Sequence, residues 1–165
     1  MRYKILAAQY SLAPETRKLF HTTTIALCLA FAYSLFTHIM IPATHSVAPR
    51  VLFRTGAPAS EINQYVTFER NDHYLPQGKA YLVKRLGCMP GQYLSRLGNQ
   101  FFCDGKEIAL AMTNDRDGHP LPQFRFTGII PVGRAFAVGD TVNSYDSRYW
   151  GFISLKETEK LVPLF

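Results

Sequence analysis

A mainly β fold of coiled antiparallel sheets, tethered by one N-terminal transmembrane helix, is what the sequence predicts. Three observations predict it. The stretch from Leu19 to Pro49 contains no Asp, Glu, Lys or Arg. From Val51 onward, short alternating segments rich in aromatic and β-branched residues recur, the pattern of half-buried strands. Turn residues separate them, and only "SLKETEKLV" near the end reads as a short helix. Of the 165 residues, about 120 are left for folded work outside the uncharged stretch, enough for one domain.

The anchor comes first. "IALCLAFAYSLF" is the centre of the uncharged stretch, and about 20 apolar residues rising about 1.5 Å each span a bilayer's hydrocarbon. Residues 19–41 therefore read as a transmembrane segment, residues 1–18 as a tail, and residues 42–165 as the working domain. Arg2, Lys4, Arg17 and Lys18 precede the segment against a single Glu15. That positive excess predicts a cytoplasmic N-terminus and an exterior domain. A cleavable leader would have an apolar region of about 7–15 residues and then a small-x-small site. Here the apolar region is longer, and the best triplet, Ser46-Val47-Ala48, runs directly into Pro49, whose tertiary amide is a poor scissile bond. The expectation is an uncleaved anchor in which Cys28 is a small apolar residue.

The strands follow in order. "QYVTFER" (64–70) alternates, and "KAYLVKRL" (79–86) follows a Pro76-Gln77-Gly78 turn. "QYLSR", "QFFC" and "KEIAL" are separated by Leu97-Gly98-Asn99 and Asp104-Gly105, which read as hairpin turns. "MTNDRDGHPLPQ" (112–123) is polar and reads as an exposed loop, and "GRAFAVGD" (133–140) is a further strand.

Composition narrows the function. The net charge of +6 is spread along the chain with no basic run or clustered aromatic groove, so no nucleic-acid partner is expected. Three cysteines without CxxC or Cys/His spacing give no metal site, and no cofactor is expected. Two residues invite chemistry. Lys84 stands in "YLVKRLGCMPG", where a strand would bury an apolar side chain, and Ser46 emerges just after the anchor in "ATHSVAPR". A neutral amine can take the proton of a serine hydroxyl. Each residue alone has an ordinary reading, as a solvated strand lysine and a juxtamembrane serine.

Together they resemble a known pattern. "HSVAP" is similar to the nucleophile box of the signal peptidase I family, and "LVKRLGCMPGQ" to its lysine box. "VGDTVNSYDSRYWGF" (138–152) resembles a third box of the same family, and the three stand in the family's order. The resemblance implies a serine endopeptidase or transpeptidase with sheets of the signal-peptidase type. It makes Ser46 the nucleophile, Lys84 the general base and Ser144 the hydroxyl that orients the lysine. Asp146 and Arg148 match a charged pair beside the site, with Asp146 either catalytic or structural. Thr44 matches a second hydroxyl that helps hold the oxyanion beside the Ser46 N–H, a donor type whose loss costs about 10²–10³ in rate. Free lysine titrates near about 10.4, so Lys84 needs burial to serve as a base. Tyr81, Leu82, Met89 and an apolar membrane-facing surface are the expected source.

Departures refine the resemblance. Gln92 replaces the acid expected after Pro-Gly, the third box is about a residue short, and the lysine-box hairpin has no room for a large second domain. With Cys88 and Cys103, this looks like the compact branch of conjugative-transfer systems, the TraF type. That implies a single-pass protein of the bacterial inner membrane with a periplasmic catalytic domain. Its substrate would be a secreted precursor, pilin first, cyclised or hydrolysed, with other conjugative-transfer components as further partners. A general signal peptidase and a non-catalytic pilus-assembly scaffold are the alternatives. Cys88 and Cys103 fall on strands either side of a hairpin. On the outer side of a membrane they would form a disulfide, the alternative being two buried free thiols.

Overall fold

The computed structural model describes residues 14–165, in two compact units that divide between His38 and Ile39. The first is the helix α1 (Pro14–His38). Its span Glu15–His38 reaches a mean hydropathy of 1.6, long and apolar enough to cross a membrane. Twenty-five residues rise about 37 Å. The Thr22, Thr23 and Thr24 hydroxyls donate to carbonyls three or four residues back along the helix, at 2.8–3.1 Å. Those bonds leave no bare hydroxyl donor there, as a hydrocarbon setting requires. Arg2 and Lys4, part of the predicted tail, lie outside the described residues.

The second unit is β-rich. Its strands are β1 (Ile39–Met40), β2 (Leu52–Arg54), β3 (Tyr65–Asn71), β4 (Lys79–Cys88), β5 (Tyr93–Leu97), β6 (Gln100–Cys103), β7 (Lys106–Leu110), β8 (Gly128–Ile129), β9 (Arg134–Val138), β10 (Ile153–Ser154) and β11 (Glu159–Pro163). A single helical turn, α2 (Ser147–Trp150), precedes β10. One sheet runs β1-β2-β11-β3-β4-β9-β10 and the other β7-β6-β5-β8, with antiparallel pairing throughout. The fold is mainly β, as the sequence predicts.

Two segments differ from their expected state. Ile39 and Met40, at the end of the predicted membrane segment, leave the helix and pair with Phe53 and Leu52. "SLKETEKLV", expected to be a short helix, gives one 3₁₀ turn (Leu155–Glu157) and then β11. Its Leu161 is recruited between β2 and β3 and buried there, and Glu159 holds Arg54 at 2.6 Å. Tertiary pairing overrides helix propensity there.

β4 organises the unit. Along it Leu82, Lys84 and Leu86 share one face and Tyr81, Val83 and Arg85 the other, the period of two that a pleated strand imposes. Leu82 and Leu86 pack in a core with Val66, Phe68, Ala137 and Ile153, whereas Val83 packs with Val47, Leu52 and Leu161. At Gly87 the pairing with β9 slips by one, so Leu86 opposes Ala137 and Cys88 opposes Phe136. Such a bulge inserts one residue and turns the strand. A Cβ at position 87 would stand 3.0 Å from Val138 Cγ2 and 3.4 Å from the Phe136 carbonyl oxygen, so glycine suits the close pairing. The bulge moves Cys88 into a third core with Leu94, Phe101, Cys103 and Phe136.

There Cys88 is joined to Cys103 by a disulfide across 15 residues of sequence. A closed loop of about 15 residues stabilises by about 3 kcal/mol in the chain-entropy treatment. Cys28 is the single free thiol. Labelling of the denatured, unreduced protein is expected to modify one thiol per chain. The Cys88→Ala/Cys103→Ala variant is expected to lose about 2–4 kcal/mol in thermal unfolding of the β unit.

Candidate active site

The segment that carries Ser46 has no regular secondary structure and is held from both sides. Val47 is buried against Leu52, Val83 and Leu161. The Ser46 carbonyl accepts from the Asp140 N–H at 2.8 Å, and the Ala48 N–H donates to the Asp140 carboxylate at 2.9 Å. Anchored by Val47 below and Asp140 beside it, Ser46 stays partly exposed.

Lys84 reaches it from β4. Its neighbour across β3 is Val66, and the side chain is only 3 % exposed. Nζ lies 3.1 Å from Ser46 Oγ. Burial pushes the amine down from the ordinary 10.5 to about 8, because water no longer stabilises the ammonium. Asp146 pulls the other way and Arg148 opposes it in turn. Leu82 lies on the lysine's face as expected, and Met89 joins the same core. Tyr81 does not contribute: it is 66 % exposed, on the opposite face of the strand.

Thr44 donates to Ser46 Oγ at 3.2 Å, which puts both hydroxyls at the same point. Ser144 is 3 % exposed, and its hydroxyl has no hydrogen-bond partner among the described residues. It therefore makes no hydrogen bond to Lys84 in this state. Position 139 explains how close it comes. A Cβ on Gly139 would stand 2.1 Å from Ser144 Oγ and 2.6 Å from the Ser46 carbonyl oxygen. Only a residue without a side chain lets these segments meet.

Asp146 and Arg148 form a fully buried pair, joined through Nε–Oδ1 at 2.7 Å and Nη2–Oδ2 at 2.6 Å. The carboxylate also caps α2 through the Arg148 N–H and accepts from the Gly139 N–H at 2.7 Å. The guanidinium donates further to the carbonyls of Leu110, Thr141, Val142 and Ser144. A buried charge is tolerated when its hydrogen-bonding capacity is filled in this way. These bonds fix the loop that carries Ser144. Neither carboxylate oxygen bonds Ser46 or Lys84 among the described residues; both are taken up by Arg148 and the Gly139 N–H.

The sequence reading missed a second carboxylate. Asp140 accepts from Arg85 Nε at 2.7 Å and from the Tyr65 hydroxyl at 2.7 Å, besides the Ala48 N–H. Arg85 continues to Asn63 Oδ1 at 2.8 Å. Burial alone would raise this carboxyl, but these donors outweigh it and hold it below the usual range. The signal was present in the Lys84-Arg85 and Gly139-Asp140 pairs, but nothing local connects them. Gln92, which departs from the expected acid, accepts from the Met89 N–H and donates to Asp104, each at 2.8 Å. An amide can do both, which a carboxylate cannot.

The signal peptidase family, peptidase S26, matches residues 16–161. The chain belongs to this family. It is a family of serine peptidases, so the chain is a peptidase of the signal peptidase type, and its apolar N-terminal helix suits a membrane anchor or signal sequence. Among solved structures it is similar to a signal peptidase I from Enterococcus faecalis V583. The two are 22 % identical over 63 % of this chain and 97 % of that one, with a TM-score of 0.40. No curated protein matches.

The depressed lysine carries a stability signature. Between about pH 8 and 10.5 the unfolded chain still binds the proton that the folded chain has released, so stability rises with pH across that window. Below it the fold bears the whole cost of a buried ammonium, about 3 kcal/mol. Lys84→Met is expected to abolish this rise and to melt higher than the unsubstituted protein at pH 7, as read by near-ultraviolet circular dichroism. Asp140→Asn keeps the shape but loses the charge on Arg85. It is expected to lower stability by about 1–3 kcal/mol and to reduce peptide turnover.

Proposed function

We propose that this chain is a membrane-anchored Ser/Lys peptidase that acts on a secreted precursor through an acyl-enzyme on Ser46. The observation that carries the reading is a buried, depressed lysine 3.1 Å from a partly exposed serine hydroxyl. The neutral Lys84 amine takes the Ser46 proton as Oγ attacks the scissile carbonyl. The Ser46 N–H and the Thr44 hydroxyl receive the negative charge that builds on the carbonyl oxygen. The ammonium then protonates the departing amine and returns to its neutral form. Lys84 next takes a proton from the incoming nucleophile as it attacks the acyl group, then returns that proton to Oγ as the acyl–Oγ bond breaks, which restores the Ser46 hydroxyl and the neutral amine. Ser144 orients the amine, and the Asp146–Arg148 pair and Asp140 hold the two segments in register.

In this reading residues 1–18 are cytoplasmic, residues 19–41 lie in the bacterial inner membrane, and residues 42–165 work in the periplasm. The bilayer and the precursor are the partners. Conjugative pilin is the proposed substrate, in line with the TraF type, and other conjugative-transfer components are proposed neighbours. The compact second sheet, four short strands in place of a large insertion, supports a dedicated substrate over the general signal peptidase role. The acceptor is either water or the precursor's own N-terminal amine. A non-catalytic scaffold would have no use for a buried lysine against a serine, since burying it costs stability.

Ser46→Ala and Lys84→Arg are each expected to abolish processing of the candidate pilin while the protein still folds, since guanidinium does not deprotonate in a protein. Retained activity in Lys84→Arg would sink the base assignment. Turnover of the unsubstituted enzyme is expected to climb with pH up to about 8, where the amine loses its proton, and then to level. Mass spectrometry of pilin from cells reads the acceptor. A product one water lighter than the linear mature chain is a ring, the linear mass means hydrolysis, and unprocessed precursor in the presence of the enzyme defeats the proposal.

A further inference from the structure

The dyad chemistry leaves a cleft beside Ser144 without a role. The cleft, of about 410 Å³, opens between the 112–121 loop and residues 143–149. The loop is well built. The Met112 N–H donates to the Tyr149 hydroxyl at 3.0 Å, the Leu121 N–H to the Thr113 carbonyl at 2.9 Å, and Asn114 bridges Pro120. Three rings line the cleft: Tyr145 stacks on Tyr149 at 5.5 Å and leans on Tyr74 at 5.4 Å. Two of the phenol oxygens are already committed, Tyr145 to Asp72 and Tyr149 to Met112.

The charges in the wall are Asp115, Asp117 and Arg116, two carboxylates against one guanidinium. Ring faces attract cations through their quadrupole, more strongly when water is excluded. Ser144 also lines the cleft, and its hydroxyl is buried and unpartnered. Through Gly139 that same serine adjoins the Ser46 carbonyl. The cleft therefore combines tyrosine rings and an excess of carboxylate next to the acyl site.

We propose that this cleft is a substrate subsite for a cationic group of the peptide chain, an alkylammonium or guanidinium. The proposal rests on the peptidase reading for the identity of its ligand as substrate, and on the cleft's own chemistry for the charge. Two sources share that chemistry. One is a lysine or arginine side chain near the scissile bond. The other is a free α-ammonium, which as the acceptor would be delivered here before losing its proton.

The test uses the full chain carrying Ser46→Ala, in detergent micelles with ¹³C-labelled tyrosine, so that binding is read without turnover. Three probes are titrated while ring resonances are followed: Nα-acetyl-lysine methylamide, alanine amide, and Nα-acetyl-norleucine methylamide as the neutral control. At least one cationic probe is expected to shift Tyr74, Tyr145 and Tyr149 saturably, about fivefold tighter than norleucine. Binding of the lysine probe alone assigns the site to a side chain, and binding of alanine amide alone to the acceptor. Asp117→Asn leaves the Asp115 bonds to the loop in place, and Tyr74→Leu removes one exposed ring. Each is expected to weaken cation binding about threefold without changing the norleucine response. Equal response to norleucine, or no saturable shift at these rings, overturns the proposal. Because the readout needs no catalysis, an inactive dyad would defeat the peptidase reading and leave this result standing.

Discussion

The whole β unit is arranged around an amine taken out of water. Lys84 lies well below an ordinary lysine because desolvation prevails over the carboxylates near it. A carboxylate in direct contact would stabilise the ammonium and restore an ordinary lysine. The structure avoids this by giving each nearby acid its own cation. Asp146 is closed by Arg148, and Asp140 by Arg85. With both charges matched locally, burial between Leu82, Leu86 and Val66 sets the balance at Lys84. The cost is stability, and the disulfide and three small cores offset it.

β4 is where these demands meet. Lys84 faces one way, Arg85 the other, and Cys88 is redirected by the bulge at Gly87. One strand thus delivers Lys84, anchors the Ser46 segment through Asp140, and ties the first sheet to the second through Cys103. The Lys-Arg pair acts as two separate devices because strand alternation sends adjacent residues to opposite faces. Arg85 could not be exchanged with Lys84 without exchanging what each face holds.

The extent to which the site is legible in the sequence follows from the range of the interactions. The long apolar helix, the hairpins and β4 are local patterns, and Ser46 and Lys84 stand out because their surroundings have distinctive order. The Asp140 cluster is not legible that way. Its partners Ala48, Tyr65 and Arg85 are 92, 75 and 55 residues away in sequence, and only the closed sheet brings them together. The same long-range pairing converts the helical-looking "SLKETEKLV" into β11. Proximity in sequence puts Tyr81 among the lysine's surroundings, whereas the pleat places it outside. The role of Gln92 was equally hidden, because an amide bridging Met89 and Asp104 is visible only once the turn is closed.

The two carboxylates of the third box therefore do different work. Asp146 is wholly buried, and its bonds to Arg148 and the Gly139 N–H shape the loop beneath Ser144. Asp140 grips the main chain on both sides of Val47, accepting from Ala48 while its own N–H holds the Ser46 carbonyl. The first sets where the Ser144 hydroxyl lies, and the second sets where Ser46 lies. Gly139 sits between them and has no side chain because both segments must pass within contact distance of it. Register between the Ser144 and Ser46 segments is thus secured by close contacts around one residue. That explains how a unit with so small a second sheet can hold Ser46 and Lys84 to within a hydrogen bond: the precision comes from the crossing of three short segments, not from the bulk of the domain.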